Sequence, residues 1–290
     1  MAEERWHELC RLVEIDDGLP VWEEAGAWTT EKLRFWHRYL ETTTTAMVGN
    51  PCWPGGVVYV DLFVGAGVCR LKDSGKRIPG SVLIAAHTAK PFARIIACEA
   101  APELAQACRA RLNNTLVGNR CDVLTGDCNQ CIQDIVKLIP KRSLTLSFVD
   151  PKGLDAKFST IAKLGERRRA DLVVLFADAY DIARNVEQHY RHDRDSKLDQ
   201  VLGPDSRWRE RLDQLPSSSG ANKRKLFRLI YEEQLRKHLG YLYIRHKAIK
   251  SPNGPIYTLV YASKHKLGLK FWDEAIKKEA SGQRTFTFPE

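Results

Sequence analysis

Apolar residues recur along this chain in two alternating rhythms. Five short runs, VVYVDLF (57–63), RIIACE (94–99), DVLTG (122–126), LTLSFVD (144–150) and DLVVLFAD (171–178), are rich in Val, Ile and Leu and lack polar alternation. That is the pattern of strands covered on both faces. Between them, SVLIAAHTA, PELAQACRARL and CNQCIQDIVKLI are each long enough for a crossover helix, and repeated alternation of this kind predicts a parallel α/β sheet. Upstream, residues 29–47 read as an amphipathic helix with Thr29 or Thr30 as cap and Leu33, Trp36 and Leu40 on one face. Downstream, YLYIRHKAIK (241–250) and PIYTLVYAS (255–263) flank Asn253-Gly254, a strong hairpin signal, and 268–278 reads as a closing helix. The expectation is one sheet of about seven strands whose last hairpin is antiparallel. An N-terminal helical segment (1–56) precedes a core formed by 57–183 and 241–280, and a helical insertion (184–240) interrupts it.

Composition narrows the class. With 290 residues, 43% hydrophobic and 28% charged, the chain can bury a full core, and it has no apolar run near the length of a bilayer span. Its first eighteen residues are acidic and periodic rather than basic and then apolar, so no signal peptide is expected and a cytoplasmic location is. The eight cysteines are spread through apolar runs and read as buried, reduced thiols; Cys128-Asn-Gln-Cys131 lacks the second pair that a structural zinc site needs, so no metal is expected.

Charge is uneven. Residues 184–290 hold 22 Lys and Arg against 13 Asp and Glu, which accounts for the entire net charge of +9. The excess gathers in RWRER (207–211), KRKLFR (223–228) and RHKAIK (245–250), interleaved with Trp208, Phe227, Tyr241 and Tyr243. Such a pattern supplies phosphate contacts and base-stacking faces, and it points to a nucleic acid, DNA or RNA. A solvated helix face is the bland alternative for any one cluster.

In an open parallel sheet, ligands bind beyond the carboxyl ends of the strands. Those ends are acidic here: Asp61-Leu-Phe63-Val-Gly65-Ala-Gly67, Glu99, Gly126-Asp127 and Asp150-Pro151-Lys152-Gly153. Gly65 and Gly67 let the backbone turn sharply beside a ligand. Arg70 stands where a dinucleotide fingerprint needs a small residue, and no Walker sequence is present. A carboxylate four residues before Gly65 repels a pyrophosphate and attracts a cation, which favours S-adenosylmethionine, with its ammonium and sulfonium and no phosphate. Asp61, Phe63, Gly65 and Gly67 are then expected at the cofactor, Glu99 at a ribose diol and Asp127 at the adenine amino group.

The series VYVDLFVGAG, IPGS (78–81), IIACE, TGD and LSFVDPKGL resembles the class I S-adenosylmethionine-dependent methyltransferases. More narrowly, WTTEKL, PGS, the DPxG turn, Ala183-Arg184-Asn185 and YASKHKLGLKFWDEA are similar to the three-Cys-motif partner protein family, over residues 28–276. The resemblance implies a Rossmann-like class I methyltransferase sheet and a separate partner protein that carries the three cysteines. A more distant similarity joins the chain to large-subunit ribosomal RNA adenine-N6 methyltransferases and their DPPY motif. It implies that Asp150 accepts a hydrogen bond from a substrate amine and that Pro151 presents its carbonyl, although Lys152-Gly153 stand where that motif has Pro-Tyr. Lys152, Arg184, Arg224 and Lys225 are the expected substrate contacts. Lys32, in the WTxEK opening, is within reach of the site or a solvated helix residue, and Ser81 is a helix cap or a cofactor contact. Pro51-Cys52 precedes the first strand, the wrong place for a cytosine-C5 nucleophile. The expected function is methyl transfer to nucleic acid; the alternative is a non-catalytic module that binds a nucleic acid or a partner and keeps the fold.

Overall fold

The computed structural model describes residues 2–166, 169–217, 219–251 and 254–277. The chain begins with helix α1 (Ala2–Glu14), strand β1 (Trp22–Ala25) and helix α2 (Ala27–Met47). Strand β2 (Val57–Asp61) leads into a hairpin, β3 (Val68–Leu71) and β4 (Arg77–Pro79), and then the short helix α3 (Ser81–Ala86). The alternation continues through β5 (Arg94–Glu99), α4 (Pro102–Asn113), β6 (Cys121–Thr125), α5 (Cys128–Leu138), β7 (Leu144–Val149), α6 (Phe158–Gly165) and β8 (Ala170–Phe176). Helices α7 (Ala183–Asn185), α8 (Lys197–Leu202), α9 (Trp208–Asp213) and α10 (Gly220–Leu239) precede the hairpin β9 (Tyr243–Ser251) and β10 (Gly254–Ser263), and α11 (Lys266–Ile276) follows it. Asn253 of the expected turn and Lys278 of the expected closing helix lie outside the described residues.

The main sheet has seven strands in the order β6-β5-β2-β7-β8-β10-β9. Its first five strands are parallel, and β10 runs antiparallel to both β8 and β9. This is the Rossmann-like sheet of seven strands with an antiparallel last hairpin expected from the sequence. The order reverses at β2, between β5 and β7, so the crevice for a ligand opens there. Because β10 is antiparallel, its first residues reach the same edge as the last residues of β8, with Thr258 opposite Phe176.

Both faces of the central strands β2, β7 and β8 are buried, which is why those runs show no polar alternation, whereas the edge strands β6 and β9 are partly exposed and the 122–126 run is not covered on both faces. Val57 and Tyr59 of β2 point into one apolar layer with residues of α1 to α4 and α11, while Val58 and Val60 point into the other with α5, α6 and α10. Helix α2 is fixed in the first layer by Trp36, which stacks on Phe148 at 4.5 Å and donates to Tyr59 Oη at 3.1 Å. It starts at Ala27 with Gly26 at the N-cap and no side-chain cap, so Thr29 and Thr30 lie inside its first turn rather than capping it. Leu33, Trp36 and Leu40 are buried as expected.

The aromatic residues of the basic stretch need correction. Trp208 and Phe227 are 1% and 0% exposed in the second layer, and Tyr241 is sealed beside β8 with its hydroxyl donating to Ala170 O at 3.0 Å. They are core residues and not base-stacking faces. The glycine turn after β2 runs into strand β3. Strand β1 pairs parallel with β3, and β3 antiparallel with β4, giving a second, three-stranded sheet beside the turn.

Candidate functional site

Gly65 and Gly67 adopt φ of +60° and +79°, the left-handed region that glycine enters without strain. The turn is held by carboxylates and carbonyls: Leu62 N donates to Phe148 O, Phe63 N to Asp61 Oδ1 at 3.2 Å, Val64 N to Cys98 O, and Gly65 N to Glu99 Oε2 at 2.8 Å. The other Glu99 oxygen accepts from Ala101 N at 2.9 Å. Each Glu99 oxygen therefore makes one backbone bond and retains a second acceptor site. Asp127 is exposed at the N-cap of α5, where Oδ1 accepts from Asn129 N, and its other oxygen has no partner among the described residues.

Asp61 behaves otherwise than expected. It is 0% exposed; Oδ2 accepts from Tyr59 Oη at 2.8 Å and from Ser81 Oγ at 2.6 Å, while Oδ1 takes Phe63 N. Its charge is spent on fixing the turn from behind, not on facing a ligand. Ser81 is likewise neither a cap, since Gly80 holds that position, nor free for a cofactor. Burial pushes the Asp61 carboxyl up to about 6, against the lowering effect of its three hydrogen bonds. The native state thus binds a proton that the unfolded chain releases near pH 4, so this contribution to stability is complete below pH 4 and is lost as the pH rises past 6. Asp61→Asn removes it. In chemical denaturation, the stability of the variant relative to the parent is expected to improve by roughly 2–4 kcal/mol between pH 4 and pH 7. A flat difference would mean that Asp61 is not desolvated as described.

At the end of β7, Asp150 meets Lys32 of α2. The Lys32 ammonium donates to Asp150 Oδ2, and the side chains are 9% and 18% exposed. Burial alone would lower the Lys32 pKa; the carboxylate more than reverses this, and the pKa is raised. Lys32 is neither solvated nor a base: it stays protonated at neutral pH. Asp150 Oδ1 has no hydrogen-bond partner among the described residues. Tyr257 of β10 lies beside the pair, with Lys32 Nζ 5.9 Å from its ring centre and its buried hydroxyl unpartnered. Burial raises that hydroxyl's pKa, so it also stays protonated. Asp178, after β8, accepts from Thr258 Oγ1 at 2.8 Å and is pushed up to about 6 by burial. Pro151 is buried, and Lys152 is exposed with its ammonium 5.7 Å from the centre of the Trp22 ring. Gly153 is confined: a Cβ there would lie 3.0 Å from Asp181 Oδ2.

A strap formed by residues 16–25 crosses the glycine turn. All five N–H groups of the Arg111 guanidinium are used there: Nε and one Nη2 bond to Asp17 at 2.7 and 2.9 Å, and the rest to the carbonyls of Leu19 (3.2 Å), Pro20 (2.7 Å) and Ala66 (2.6 Å). Arg77 adds bonds to Asp16 at 2.5 Å and to Asp17 at 2.7 Å. The Arg111 guanidinium beside Asp17 holds that carboxyl well below the usual range, against its partial burial. One side chain therefore ties the strap to the backbone of the turn.

The basic clusters are largely neutralised within the chain. Arg207 pairs with Glu210, Arg209 with Asp199 at 2.6 Å and Arg211 with Glu233 at 2.6 Å, so RWRER is an internal ion-pair network. Lys223 bonds Glu187 and Arg228 bonds Glu232, both at 2.8 Å, and His246 lies 3.2 Å from Glu232. Exposed Lys225 has no acidic ion-pair partner among the described residues, and half-buried Arg224 makes no ion pair there but lies within electrostatic reach of Asp178, whose carboxyl pKa burial raises and this charge lowers. Arg184 is exposed on α7, between two π-helical turns (Asp178–Ile182 and Val186–Tyr190).

Of the expected site residues, the sheet brings Phe63, Gly65, Glu99 and Asp127 to one edge and Asp150, Pro151 and Lys152 to its neighbouring strand end, whereas Gly67 is buried against Val82, Leu83 and Arg111 and does not face the crevice. Trp22, Arg111 and Tyr257 were not anticipated. Among the described residues no helix is long and apolar enough to cross a membrane. No protein-family model matches the chain, and no protein of curated function is similar to it in sequence. In chain trace it is similar to an O-methyltransferase from Bacillus cereus in complex with SAH (14% identity, TM-score 0.44, covering 91% of this chain and 90% of that one). It is also similar to protein LPL1258 from Legionella pneumophila (11%, TM-score 0.49, 88% and 94%) and to human methyltransferase 10 domain containing protein (10%, TM-score 0.44, 91% and 99%).

Proposed function

We propose that this chain transfers a methyl group from S-adenosylmethionine to an amino group of a nucleic acid, in company with a separate protein that carries three cysteines. The observation that carries the cofactor reading is the fate of the turn amides. Phosphate cradles need free N–H groups and a helix N-terminus. Here the amides of residues 62–65 are all consumed, two of them by carboxylates, and a strand follows the turn. A ligand without phosphate fits this crevice. A Cβ at Gly65 would meet only Trp22 within 4 Å, so the backbone is open to close approach. Glu99 would hold the ribose diol with its remaining acceptor sites, and Asp127 the adenine amino group with its uncommitted oxygen.

S-adenosylmethionine supplies a methyl group activated by its positive sulfur. The residues of the chain do the rest. Asp150 Oδ1 accepts a hydrogen bond from the substrate amine and takes its proton as the N–C bond forms, while Lys32 fixes Oδ2 and thereby the orientation of the carboxylate. Pro151 presents its carbonyl to the same amine. Lys152, Arg184, Arg224 and Lys225 line the approach for a polyanion; RWRER, being internally paired, does not.

The Lys32 ion pair also favours a second reading, a binding module without catalysis, because it already satisfies one oxygen of the carboxylate that would receive the amine. Calorimetry with S-adenosylmethionine, NAD and ATP, followed by labelled methyl transfer to RNA and DNA, separates the two. Donor binding with transfer supports the enzyme; donor binding without transfer to any acceptor supports the module; preference for NAD or ATP removes the cofactor reading, and binding of neither donor nor nucleic acid removes both. Reversing Arg224 and Lys225 to Glu is expected to weaken RNA or DNA binding and reduce its salt slope by about 2, one per lost phosphate contact, whereas reversing Arg207 should leave the slope unchanged.

A further inference from the structure

Asp61, sealed behind the turn, does not face the donor's positive sulfur. Trp22 sits in β1, its backbone opposite Cys69 of β3. It is pinned there by the Arg111 and Arg77 bonds to Asp16, Asp17, Leu19 and Pro20 just before it. Its Cβ is 3.9 Å from where a Gly65 Cβ would stand, so it adjoins the glycine turn. Its ring carries a cation from the other side of the crevice, the Lys152 ammonium, at 5.7 Å from the ring centre. The ring therefore adjoins both the loop expected to hold the donor and the loop expected to hold the acceptor; the Lys152 ammonium takes one of its π faces, which leaves the opposite face for a second cation.

We infer that Trp22 is the cation-selective wall of the cofactor site, an aromatic face that holds the sulfonium of S-adenosylmethionine and gives up that attraction when methyl transfer leaves a neutral thioether. This rests on the cofactor reading above. The negative face of an indole attracts a cation more strongly than that of phenol or benzene, and an uncharged sulfur is held by dispersion alone. Such a wall favours the substrate over the product S-adenosylhomocysteine, and so limits product inhibition.

The test is the ratio of affinities for S-adenosylmethionine and S-adenosylhomocysteine, measured by calorimetry on the full chain. Trp22→Leu is expected to reduce the preference for the charged ligand about five- to thirtyfold, with affinity for the neutral one changing far less. Trp22→Phe should fall between the two, and it keeps the measurement decisive if the Leu variant does not fold. An unchanged ratio in the Phe and Leu variants, whether both affinities hold or both drop together, overturns the role of Trp22 while leaving the cofactor reading intact. A wild-type chain that binds neither ligand overturns the cofactor reading itself, and this inference with it.

Discussion

Asp150→Asn is expected to lower the rate of methyl transfer on the order of 10²–10⁴-fold, the usual worth of a positioned proton acceptor, and to leave donor affinity unchanged. Asparagine keeps an oxygen for Lys32, so the loss isolates the missing negative charge at Oδ1. Asp150→Ala is a harsher change, because it strands the ammonium of Lys32, which is 7% exposed. Removing one partner of a buried pair costs about 3–5 kcal/mol, whereas replacing both by apolar groups of similar size is often neutral. The double variant Lys32→Met/Asp150→Leu should therefore regain the stability that either single apolar change loses, yet remain without transfer. Single-turnover methylation and denaturant unfolding, measured on the parent, Asp150→Asn, Asp150→Ala, both single apolar changes (Lys32→Met and Asp150→Leu) and the double variant, check both halves. Full transfer by Asp150→Asn would show that the carboxylate takes no part in the step.

The second large effect concerns Arg111. Arg111→Ala is expected to destabilise the chain by about 2–4 kcal/mol, since it takes one of two guanidinium partners from Asp17, which keeps Arg77, and leaves three backbone carbonyls without this donor. For a chain of this size that lowers the melting temperature on the order of 5–10 °C. Donor affinity should fall as well, because the strap that carries Trp22 and the turn that carries Gly65 share this one guanidinium. Arg111→Lys should recover little, as an ammonium has three donors in place of five and cannot span carboxylate and carbonyls together. A thermal melt within 2 °C of the parent, on the scale of a change near 1 kcal/mol, would show that the strap holds without it.

The contrast between Arg111 and Asp61 shows what the sequence made legible. Strands such as 94–99 and the turn glycines follow from local rules of pattern and backbone freedom, and β5 matches its expected run residue for residue. The direction in which a carboxylate points does not follow from such rules. Asp61 is turned away by Tyr59, two residues earlier on the same strand, and by Ser81 across the β3 and β4 hairpin, whose strands of four and three residues are too short to leave a periodic signal. Lys32 and Asp150 are 118 positions apart, and Arg111 and Asp17 are 94, so only the closed fold joins them. RWRER read as a polyanion surface because its partners Asp199 and Glu233 lie outside the cluster, where a count of local charge does not see them.

Cys52 is the one exposed thiol of the eight. Its carbonyl accepts from Arg169, just before β8, and Gly55 N donates to Arg142 O, just before β7. The turn thus hangs below the amino ends of the strands, at the far edge from the crevice. A maleimide dye applied briefly under native conditions will mark that position first, giving a fluorescent handle for tethering or anisotropy work that leaves the ligand-binding edge untouched.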